Sequence, residues 1–436
     1  MPDTPNIIWI FGDQHRAQAL GCAGDPNVHT PVLDAMAASG ARFTNAVSGC
    51  PWCTPFRGSL LTSRYIHQCV DRTPQRMEPE LPVITDVLNA HGYLTAYFGK
   101  WHLSGANTMI HVPREERGRF DIWLGYENNN AQYDCYVHGH DLTGRDDDDP
   151  LAEKLEGYET DALTDRLIDF IRTHGQDRPF FAVLSVQPPH DPHVAPPDDL
   201  ARHAPDGIVL RPNVPDIPRI TERARRDLAG YYAQIENLDR NVGRVLATLE
   251  EIELTENTHV LFFSDHGDMH GSHGYVRKSS PWEEAIRIPF IVQPAGGTRV
   301  AAETDVPLNH VDIAPTTLGL CGIEVPAWMQ GTDYADCILL DRPGPAETPD
   351  SAYLQHSYRK RFDCLNRVWR GIRTRDGWKY VCLEGQPLMM FNLNEDPYEL
   401  ANLAFLDAFN DKRAELQARL ARWIEETGDD FPLPEL

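Results

Sequence analysis

The sequence predicts an α/β protein: a large, mostly parallel sheet flanked by helices, followed by a small C-terminal α+β subdomain. Two observations support this fold class. Between Ile7 and Val292, continuous apolar runs alternate with segments whose apolar residues recur at helical spacing, which is typical of parallel strands covered by helices on both faces. After residue 345 the pattern changes to short strand-like runs and one closing helix. We therefore divide the chain into residues 1–345 and residues 346–436.

Continuous apolar runs predict the strands of the large sheet, because a strand that is covered on both faces has no polar side. Parallel strands also need long crossover connections, and helical patterns fill the intervals between these runs. The predicted strands are Ile7–Phe11, Thr95–Gly99, Phe180–Val186, His259–Ser264 and Ile288–Val292.

Capping signals and apolar spacing predict the helices. Thr30 and Pro31 provide an N-cap and a first-turn proline for a helix that ends at Gly40. A second helix covers 84–91 and stops at Gly92. A long amphipathic helix follows from the spacing of its apolar residues. These residues are Tyr231, Ile235, Leu238, Val242, Val245 and Leu249.

The C-terminal subdomain is predicted from three segments. Trp378–Leu383 and Met389–Leu393 have the length and composition of short antiparallel strands. Asp411–Glu426 places Leu416 and Leu420 on one helical face, together with Trp423, and predicts a closing helix.

Composition restricts the partners. The 65 acidic and 40 basic residues give a net charge of −25, which disfavours nucleic acid and anionic membrane surfaces. No window approaches 18 apolar residues, so we expect no membrane span. Met1–Pro5 lacks the basic flank and long apolar core of a secretory signal, which predicts a cytoplasmic protein. A pocket for an anionic substrate must gather local cations against this overall charge.

Polar residues follow four of the predicted strands, where ligands of open α/β sheets bind. A carboxylate next to an imidazole suits a divalent cation. Each candidate could also be explained by structure alone, for example Asp13 as a turn residue and Lys278 as a surface lysine. His193 is a second candidate for the role of His190. His270 and His273 stay undecided. The candidates are Asp13, Gln14, Lys100, His102, His190, Asp265 and His266, with Lys278 further on.

The run Cys53-Thr54-Pro55-Phe56-Arg57 is the most informative stretch of the chain. A free thiol is a soft nucleophile, whereas a hydrated aldehyde offers one hydroxyl to attack and another to expel the bound group. Cys50 and Cys53 also match C-x-x-C, so a redox or zinc pair is an alternative, although no second C-x-x-C completes a zinc site. Nine cysteines at irregular spacing do not indicate a disulfide framework.

This pentapeptide resembles the site at which sulfatases of the alkaline phosphatase superfamily have a cysteine converted to Cα-formylglycine. Further segments resemble other sulfatase signatures in the same order along nearly the whole chain. The resemblance implies an alkaline-phosphatase-like fold, with the catalytic domain over residues 1–345. The matching segments are Asn6–Gln14, Gly99–Leu103, Asp265–Lys278, Glu283–Pro289 and Phe391–Leu403.

The resemblance also implies roles for the candidates. Residue 53, as formylglycine, would bind one divalent metal ion together with Asp13, Gln14, Asp265 and His266. Arg57 and Lys100 would hold the attacking oxyanion, and Lys278 would join Lys100 in neutralising the sulfuryl group. His190 would protonate the leaving alcohol, and His102 would deprotonate the remaining hydroxyl. A formylglycine-generating enzyme would be the maturation partner, and a small-molecule sulfate ester the substrate.

Two departures leave the metal ion open between Ca²⁺ and Mn²⁺. Gln14 stands where many sulfatases carry a second aspartate, and His266 where several calcium-dependent members carry asparagine. Calcium prefers oxygen ligands, whereas imidazole suits manganese better.

Two alternatives to a sulfuric ester hydrolase remain at this stage. The first is a phosphonate monoester or phosphodiester hydrolase with the same formylglycine. The second is a non-catalytic anion-binding protein with unmodified Cys53. We expect irregular segments over Met109–Gly144 and His190–Pro218 to set specificity, and a solvated loop over Arg145–Pro150. Several aromatic residues either line the cleft or pack in the core: Trp52, Trp123, Tyr126, Tyr133 and Tyr136.

Overall fold

The computed structural model describes residues 4–70, 76–105, 110–296, 302–339, 348–357, 365 and 367–435. The division proposed at residue 345 lies outside these described residues and stays a prediction. The same holds for Met109, the first residue of a segment expected to be irregular. None of the helices in the described part of the chain is long and apolar enough to cross a membrane.

The described residues form sixteen strands in three sheets. The strands are β1 (Asn6–Gly12), β2 (Ala41–Phe43), β3 (Ala46–Val47), β4 (Leu94–Lys100), β5 (Ile122–Tyr126), β6 (Tyr136–His140), β7 (Glu153–Lys154), β8 (Phe180–Val186), β9 (Thr258–Ser264), β10 (Phe290–Gln293), β11 (Ala302–Thr304), β12 (Leu308–Asn309), β13 (Ser351–His356), β14 (Trp369–Thr374), β15 (Trp378–Leu383) and β16 (Gln386–Asn392).

A ten-stranded sheet forms the body of the molecule, in the order β11-β2-β10-β9-β1-β8-β4-β5-β6-β7. The five central strands β9, β1, β8, β4 and β5 run parallel to one another. β10 runs antiparallel to both β9 and β2, and β6 runs antiparallel to β5. The sheet is thus mixed, with the predicted parallel arrangement at its centre.

Eleven α-helices lie within the described residues. They are α1 (Pro31–Ser39), α2 (Cys53–Thr62), α3 (Ile66–Cys69), α4 (Ile84–Ala90), α5 (Glu159–His174), α6 (Pro197–Leu200), α7 (Pro218–Glu251), α8 (Glu283–Ile286), α9 (Ile313–Leu320), α10 (Ala335–Ile338) and α11 (Asn410–Thr427). Helix α1 begins at Pro31 as predicted, although the Thr30 hydroxyl donates to Asp34 instead of capping the backbone.

Alternate residues of the central strands face two separate apolar cores. On β1, Ile7, Trp9 and Phe11 pack in one core, whereas Ile8 and Ile10 pack in the other. The second core also receives Leu238, Val242, Val245 and Leu249 of α7, the long helix predicted from its apolar spacing, whereas Tyr231 and Ile235 of that helix pack in a smaller cluster. Burial on both faces explains why these strands read as continuous apolar runs.

The C-terminal region contains an antiparallel sheet in the order β13-β14-β15-β16, against which α11 packs. Two of its strands and the closing helix were predicted within three residues at each end. Strands β13 and β14 were not predicted.

The structure corrects the expectation that residues 109–144 are irregular. This segment contributes β5 and β6 to the large sheet. Trp123 and Tyr126 of β5 are buried in the two cores and are not free to line a cleft. Both strands are short and contain a glycine, which weakens their strand pattern. The segment 190–218 is mostly irregular, as expected, apart from α6 and a single 3₁₀ turn.

Candidate active site

The candidate residues meet where four adjacent parallel strands end. Gly12, the last residue of β1, pairs with Val186 of β8 on one side and with Ser264 of β9 on the other. Gly99 of β4 pairs with Ser185 of β8. The segments that follow these strands therefore emerge side by side, as is expected for the carboxyl edge of a parallel sheet.

Cys53 is the first residue of helix α2 and is only 2% exposed. Its Sγ accepts a hydrogen bond from Lys278 Nζ at 3.1 Å. The Nε2 atom of His266 lies 3.3 Å from the sulfur, and Asp13 Oδ1 lies at 3.5 Å. The reactive position is thus surrounded by one cation, one imidazole and one carboxylate.

The cations around Cys53 favour the thiolate. Burial and the Asp13 carboxylate each raise the pKa of this thiol. The attraction of Lys278, Lys100 and His266 outweighs both effects and lowers the pKa to about 6. A place at the start of a helix acts in the same direction. By contrast, burial raises the pKa of Cys50, three residues earlier, well above its usual value.

Asp13 carries the negative charge that holds the cations in place. Its carboxylate lies 2.6 Å from Lys100 Nζ, 3.4 Å from Arg57 Nη2 and 3.6 Å from Lys278 Nζ. Burial raises the pKa of Asp13, but Lys100 and Lys278 outweigh this effect and hold the pKa well below its usual value. Asp13 is therefore ionised.

Asp265 and His266 complete a cluster of donor atoms. The Nε2 atom of His266 lies 3.6 Å from Asp13 Oδ1 and 3.6 Å from Asp265 Oδ1. Its Nδ1 donates to the carbonyl oxygen of Gly267 at 3.0 Å, an arrangement that turns Nε2 toward the cluster. Burial and the charge of Asp13 raise the pKa of Asp265 to about 6.

This cluster fits a divalent cation. One donor atom each from Asp13, Cys53, Asp265 and His266 lie within 4.8 Å of one another, and all four residues are buried. A cation between them would relieve the repulsion that raises the pKa of Asp265.

Gln14 also fits the cluster. Its backbone N–H donates to Asp265 Oδ1 at 2.9 Å, and its side-chain Nε2 donates to Asp268 Oδ2 at 2.5 Å. Its Oε1 is buried and has no hydrogen-bond partner among the described residues, as expected of an amide oxygen that awaits a cation.

Arg57 lies one helical turn after Cys53 and ties the helix to the sheet edge. Its guanidinium donates to the Lys100 carbonyl oxygen and to Ser185 Oγ, each at 2.8 Å. It also contacts both Asp13 and Asp265 at 3.4 Å. Arg57 thus pairs with the two carboxylates of the cluster, and its contribution to an oxyanion stays a prediction.

His190 and His102, the two predicted proton carriers, have imidazoles that are influenced by burial and by the lysines of the site. Burial and then Lys278 lower the pKa of His190 well below its usual value, and burial and then Lys100 do the same for His102. The Nδ1 atom of His190 donates to the Asp191 carbonyl oxygen at 2.6 Å, which leaves Nε2 as its second functional atom. Both imidazoles are neutral near pH 7.

The other histidines near the site have different surroundings. His193 lies 3.2 Å from the Pro189 carbonyl oxygen through Nδ1, and its ring packs against His270. The charges of Asp13, Lys100 and Lys278 act on His190, which favours His190 over His193. His273 stacks on Trp282 with ring centroids 3.8 Å apart.

His273 belongs to a second group of donor atoms, together with Glu284 and Glu399. Cationic side chains already pair with both carboxylates there: Arg211 lies 2.8 Å from Glu284, and Lys379 pairs with Glu399. This group therefore reads as a buried ion-pair network.

Three contributors were not predicted from the sequence. Asp268 holds the Gln14 amide, and Ser185 bridges Arg57 and the Lys100 carbonyl oxygen. Glu159 lies buried behind the site and receives a hydrogen bond from Tyr126. Ser185 gave a signal, because it is the one polar residue in the apolar run of β8. Asp268 lies in Asp265–Lys278, a segment that resembles a sulfatase signature, but its own role was not predicted.

The eight cysteines within the described residues are all free. Trp52 is half-buried and its ring lies 5.7 Å from that of His356, whereas Tyr133 is 43% exposed. These two, with the half-buried Tyr136, are the aromatic candidates that stay outside the two large cores.

Comparison with known proteins establishes the class. The sulfatase family model matches residues 5–323. A second model, described as N-sulphoglucosamine sulphohydrolase, C-terminal, matches residues 271–426. The chain belongs to the sulfatase family, and it is a hydrolase of sulfuric esters.

Individual relatives agree with this assignment. An ulvan-active sulfatase from Formosa agariphila is 35% identical, over 99% of this chain and 83% of the relative. An endo-4-O-sulfatase from Bacteroides thetaiotaomicron is 29% identical, over 98% and 93%. The solved structure of a yidJ sulfatase from Bacteroides fragilis has a TM-score of 0.85 and 27% identity, and covers 98% of this chain and 97% of that chain. The predicted fold class and family are confirmed.

Proposed function

We propose that this hydrolase cleaves sulfate monoesters with a Cα-formylglycine derived from Cys53 and with one divalent metal ion. The position of Cys53 carries the proposal. Its Sγ lies within 3.5 Å of Lys278, His266 and Asp13 at the start of a buried helix. Cys53, Pro55 and Arg57 also keep the pattern that resembles the modification site, so a formylglycine-generating enzyme is the expected maturation partner.

The cations of the site are suited to hold a sulfate group. Lys100 and Lys278 are each 1% exposed and converge on Asp13. The protein as a whole has a net charge of −25, so this local excess of cations is what draws an anion into the pocket. Both ammonium groups would neutralise the charge that develops on the sulfuryl oxygens.

Formylglycine, once hydrated, supplies one hydroxyl that attacks sulfur and a second that later expels sulfate. Asp13, Gln14, Asp265 and His266, together with residue 53, would hold the metal ion, which would supply Lewis acidity to the site. Their oxygen and imidazole donors suit Ca²⁺ or Mn²⁺, and the imidazole of His266 favours Mn²⁺.

His190 protonates the leaving alcohol in this proposal. Burial and Lys278 keep its imidazole neutral in the absence of substrate. A bound sulfate group offsets the charge of Lys278, so the pKa of His190 rises when substrate binds and a proton is taken up at Nε2. His102 is neutral, and its Nδ1 has no hydrogen-bond partner among the described residues. It would accept the proton of the remaining hydroxyl.

We infer a sulfated carbohydrate as the natural substrate class. The support comes from the relative that is named an ulvan-active sulfatase and from the family model named for N-sulphoglucosamine sulphohydrolase. A phosphonate monoester or phosphodiester hydrolase with the same formylglycine stays the second candidate, because Gln14 and His266 are compatible with it.

The test uses protein produced together with a formylglycine-generating enzyme. Rates are measured on 4-nitrophenyl sulfate and on a 4-nitrophenyl phosphonate monoester, with Cys53→Ala as the inactive control. We expect a higher kcat/KM for the sulfate and loss of both activities in Cys53→Ala. A higher kcat/KM for the phosphonate would reverse the order of the two candidates. Release of sulfate from sulfated oligosaccharides then tests the substrate class.

A further inference from the structure

Glu159 is a buried carboxylate for which the proposed reaction has no use. It is the first residue of helix α5 and is 1% exposed. Its Oε1 accepts a hydrogen bond from the Tyr126 hydroxyl at 2.5 Å and from the Gln187 backbone N–H at 2.9 Å. Tyr126 ends β5, and Gln187 directly follows β8. One carboxylate thus joins the ends of two strands on either side of β4.

The contacts of Glu159 belong to a closed ring of hydrogen bonds that includes the proposed acid His190. The Gln187 N–H donates to Glu159, and the His190 N–H donates to the Gln187 carbonyl oxygen at 3.1 Å. The Gln132 side-chain amide donates to the His190 carbonyl oxygen at 3.4 Å, and the Glu159 N–H donates to the Gln132 carbonyl oxygen at 2.8 Å. Gln132 also donates to the Pro192 carbonyl oxygen at 2.9 Å.

This ring fixes both backbone groups of His190. Within the described residues, the imidazole itself is oriented through Nδ1, which donates to the Asp191 carbonyl oxygen and lies 3.5 Å from Asp191 Oδ1. The position of Nε2 therefore follows the position of the 187–192 backbone. A general acid has to lie within hydrogen-bond reach of the oxygen that it protonates, so a loose backbone here would weaken proton transfer.

Stability alone does not account for a carboxylate at this place. Its second oxygen, Oε2, is buried and has no hydrogen-bond partner among the described residues. Burial raises the pKa of Glu159 to about 7, although the hydrogen bonds from Tyr126 and Gln187 oppose the rise. Burying such a group costs free energy.

We propose that Glu159 and Gln132 are positioning residues that hold His190 for proton transfer to the leaving group. The proposal rests on the acid role of His190 given above. Neither residue touches the reacting atoms, and both act through the backbone of the segment that carries the imidazole.

Hydrogen exchange tests the positional part without any need for turnover. The variants are Glu159→Ala, Glu159→Gln and Gln132→Ala, with Glu156→Ala, an exposed residue just before α5, as the control. We expect the peptide that covers 187–192 to exchange about tenfold faster in Glu159→Ala, because the hydrogen bond from the Gln187 N–H to the buried Glu159 side chain is lost. Glu159→Gln keeps an acceptor oxygen and should stay within about threefold of the wild type. Wild-type exchange in Glu159→Ala would overturn the proposal.

Leaving-group dependence tests the functional part. An alcohol with a high pKa needs a general acid, whereas 4-nitrophenolate does not. The loss of kcat in Glu159→Ala and Gln132→Ala should therefore be about tenfold larger on phenyl sulfate than on 4-nitrophenyl sulfate. His190→Ala should show the same difference between the two esters to a greater extent. Glu159→Gln should recover most of this loss.

These measurements distinguish a failure of the positioning role of Glu159 from a failure of the acid role of His190. Equal losses on both esters in Glu159→Ala, beside a leaving-group-dependent loss in His190→Ala, would show that Glu159 has a structural role only and would overturn the positioning proposal. Equal losses in His190→Ala itself would remove its acid role, and the positioning proposal with it. Loss of exchange protection together with leaving-group dependence would confirm it.

Discussion

Replacement of Lys278 by Met should raise the pKa of the Cys53 thiol in unconverted protein. The Lys278 ammonium lies 3.1 Å from Sγ and is 1% exposed, so it is the nearest unscreened cation. At an effective dielectric constant of about 20, Coulomb's law gives an upper bound of about 5 kcal/mol for this pair. Reorganisation reduces such effects, and a neighbouring opposite charge generally shifts a pKa by about 1–3 units.

The thiol pKa of about 6 should therefore rise to roughly 7–9 in Lys278→Met. Thiolate absorbance at 240 nm is followed against pH in chelator-treated protein, with the spectrum of Cys53→Ser subtracted to remove the other cysteines. Arg277→Met is the matched control, because Arg277 is the adjacent residue and pairs with Asp191 at 2.9 Å. A thiol pKa that is the same in Lys278→Met and in the control would refute the claim that Lys278 stabilises negative charge at residue 53.

Three further predictions concern the metal ligands, the C-terminal subdomain and Glu159. His266→Asn should weaken Mn²⁺ more than Ca²⁺ in calorimetric titrations of chelator-treated protein, because an amide oxygen replaces imidazole; an unchanged ratio of affinities would contradict the ligand assignment. Asp429→Ala should destabilise the protein by about 3–5 kcal/mol in urea unfolding, because it removes the carboxylate that lies 2.6 Å from the buried Arg370 guanidinium. Asp430→Ala is the control. Burial raises the pKa of Glu159 in the folded wild type from 4.5 to about 7, so the wild type loses stability as the pH rises through this interval. Glu159→Gln has no such group to ionise and should therefore become more stable relative to the wild type between about pH 4.5 and pH 7. Equal pH dependence of the melting temperature in both proteins would argue against this.

Much of the fold was predictable because burial leaves a local signature. The central strands β1, β8 and β9 are apolar on both faces, and each was found within two residues at either end. Strands β13 and β14 were missed because their sequences mix charged, aromatic and small residues, and their pairing depends on partners rather than on periodicity. The direction of β10 was likewise set by its neighbours β9 and β2.

Some residues of the site were likewise predictable from the sequence, and others were not. Asp13, Lys100 and Asp265 were found because each follows a recognisable strand, and the sheet places those strand ends together. The ring around His190 was not predictable, because it joins backbone and side-chain atoms of three segments that lie far apart in the sequence. Glu159 carries no local signal, since an acidic residue in the first helical turn is ordinarily explained by the helix dipole.

The central claim is that Cys53 becomes the formylglycine nucleophile. The most direct measurement is the mass of the peptide that contains Cys53, from protein produced with a formylglycine-generating enzyme and beside a known sulfatase as reference. We expect the mass of an aldehyde at residue 53 in the wild-type protein. We expect an unconverted thiol in Arg57→Ala, because this variant lacks the arginine of the modification pattern. A thiol at residue 53 in the wild-type protein, while the reference sulfatase is converted, would contradict the claim.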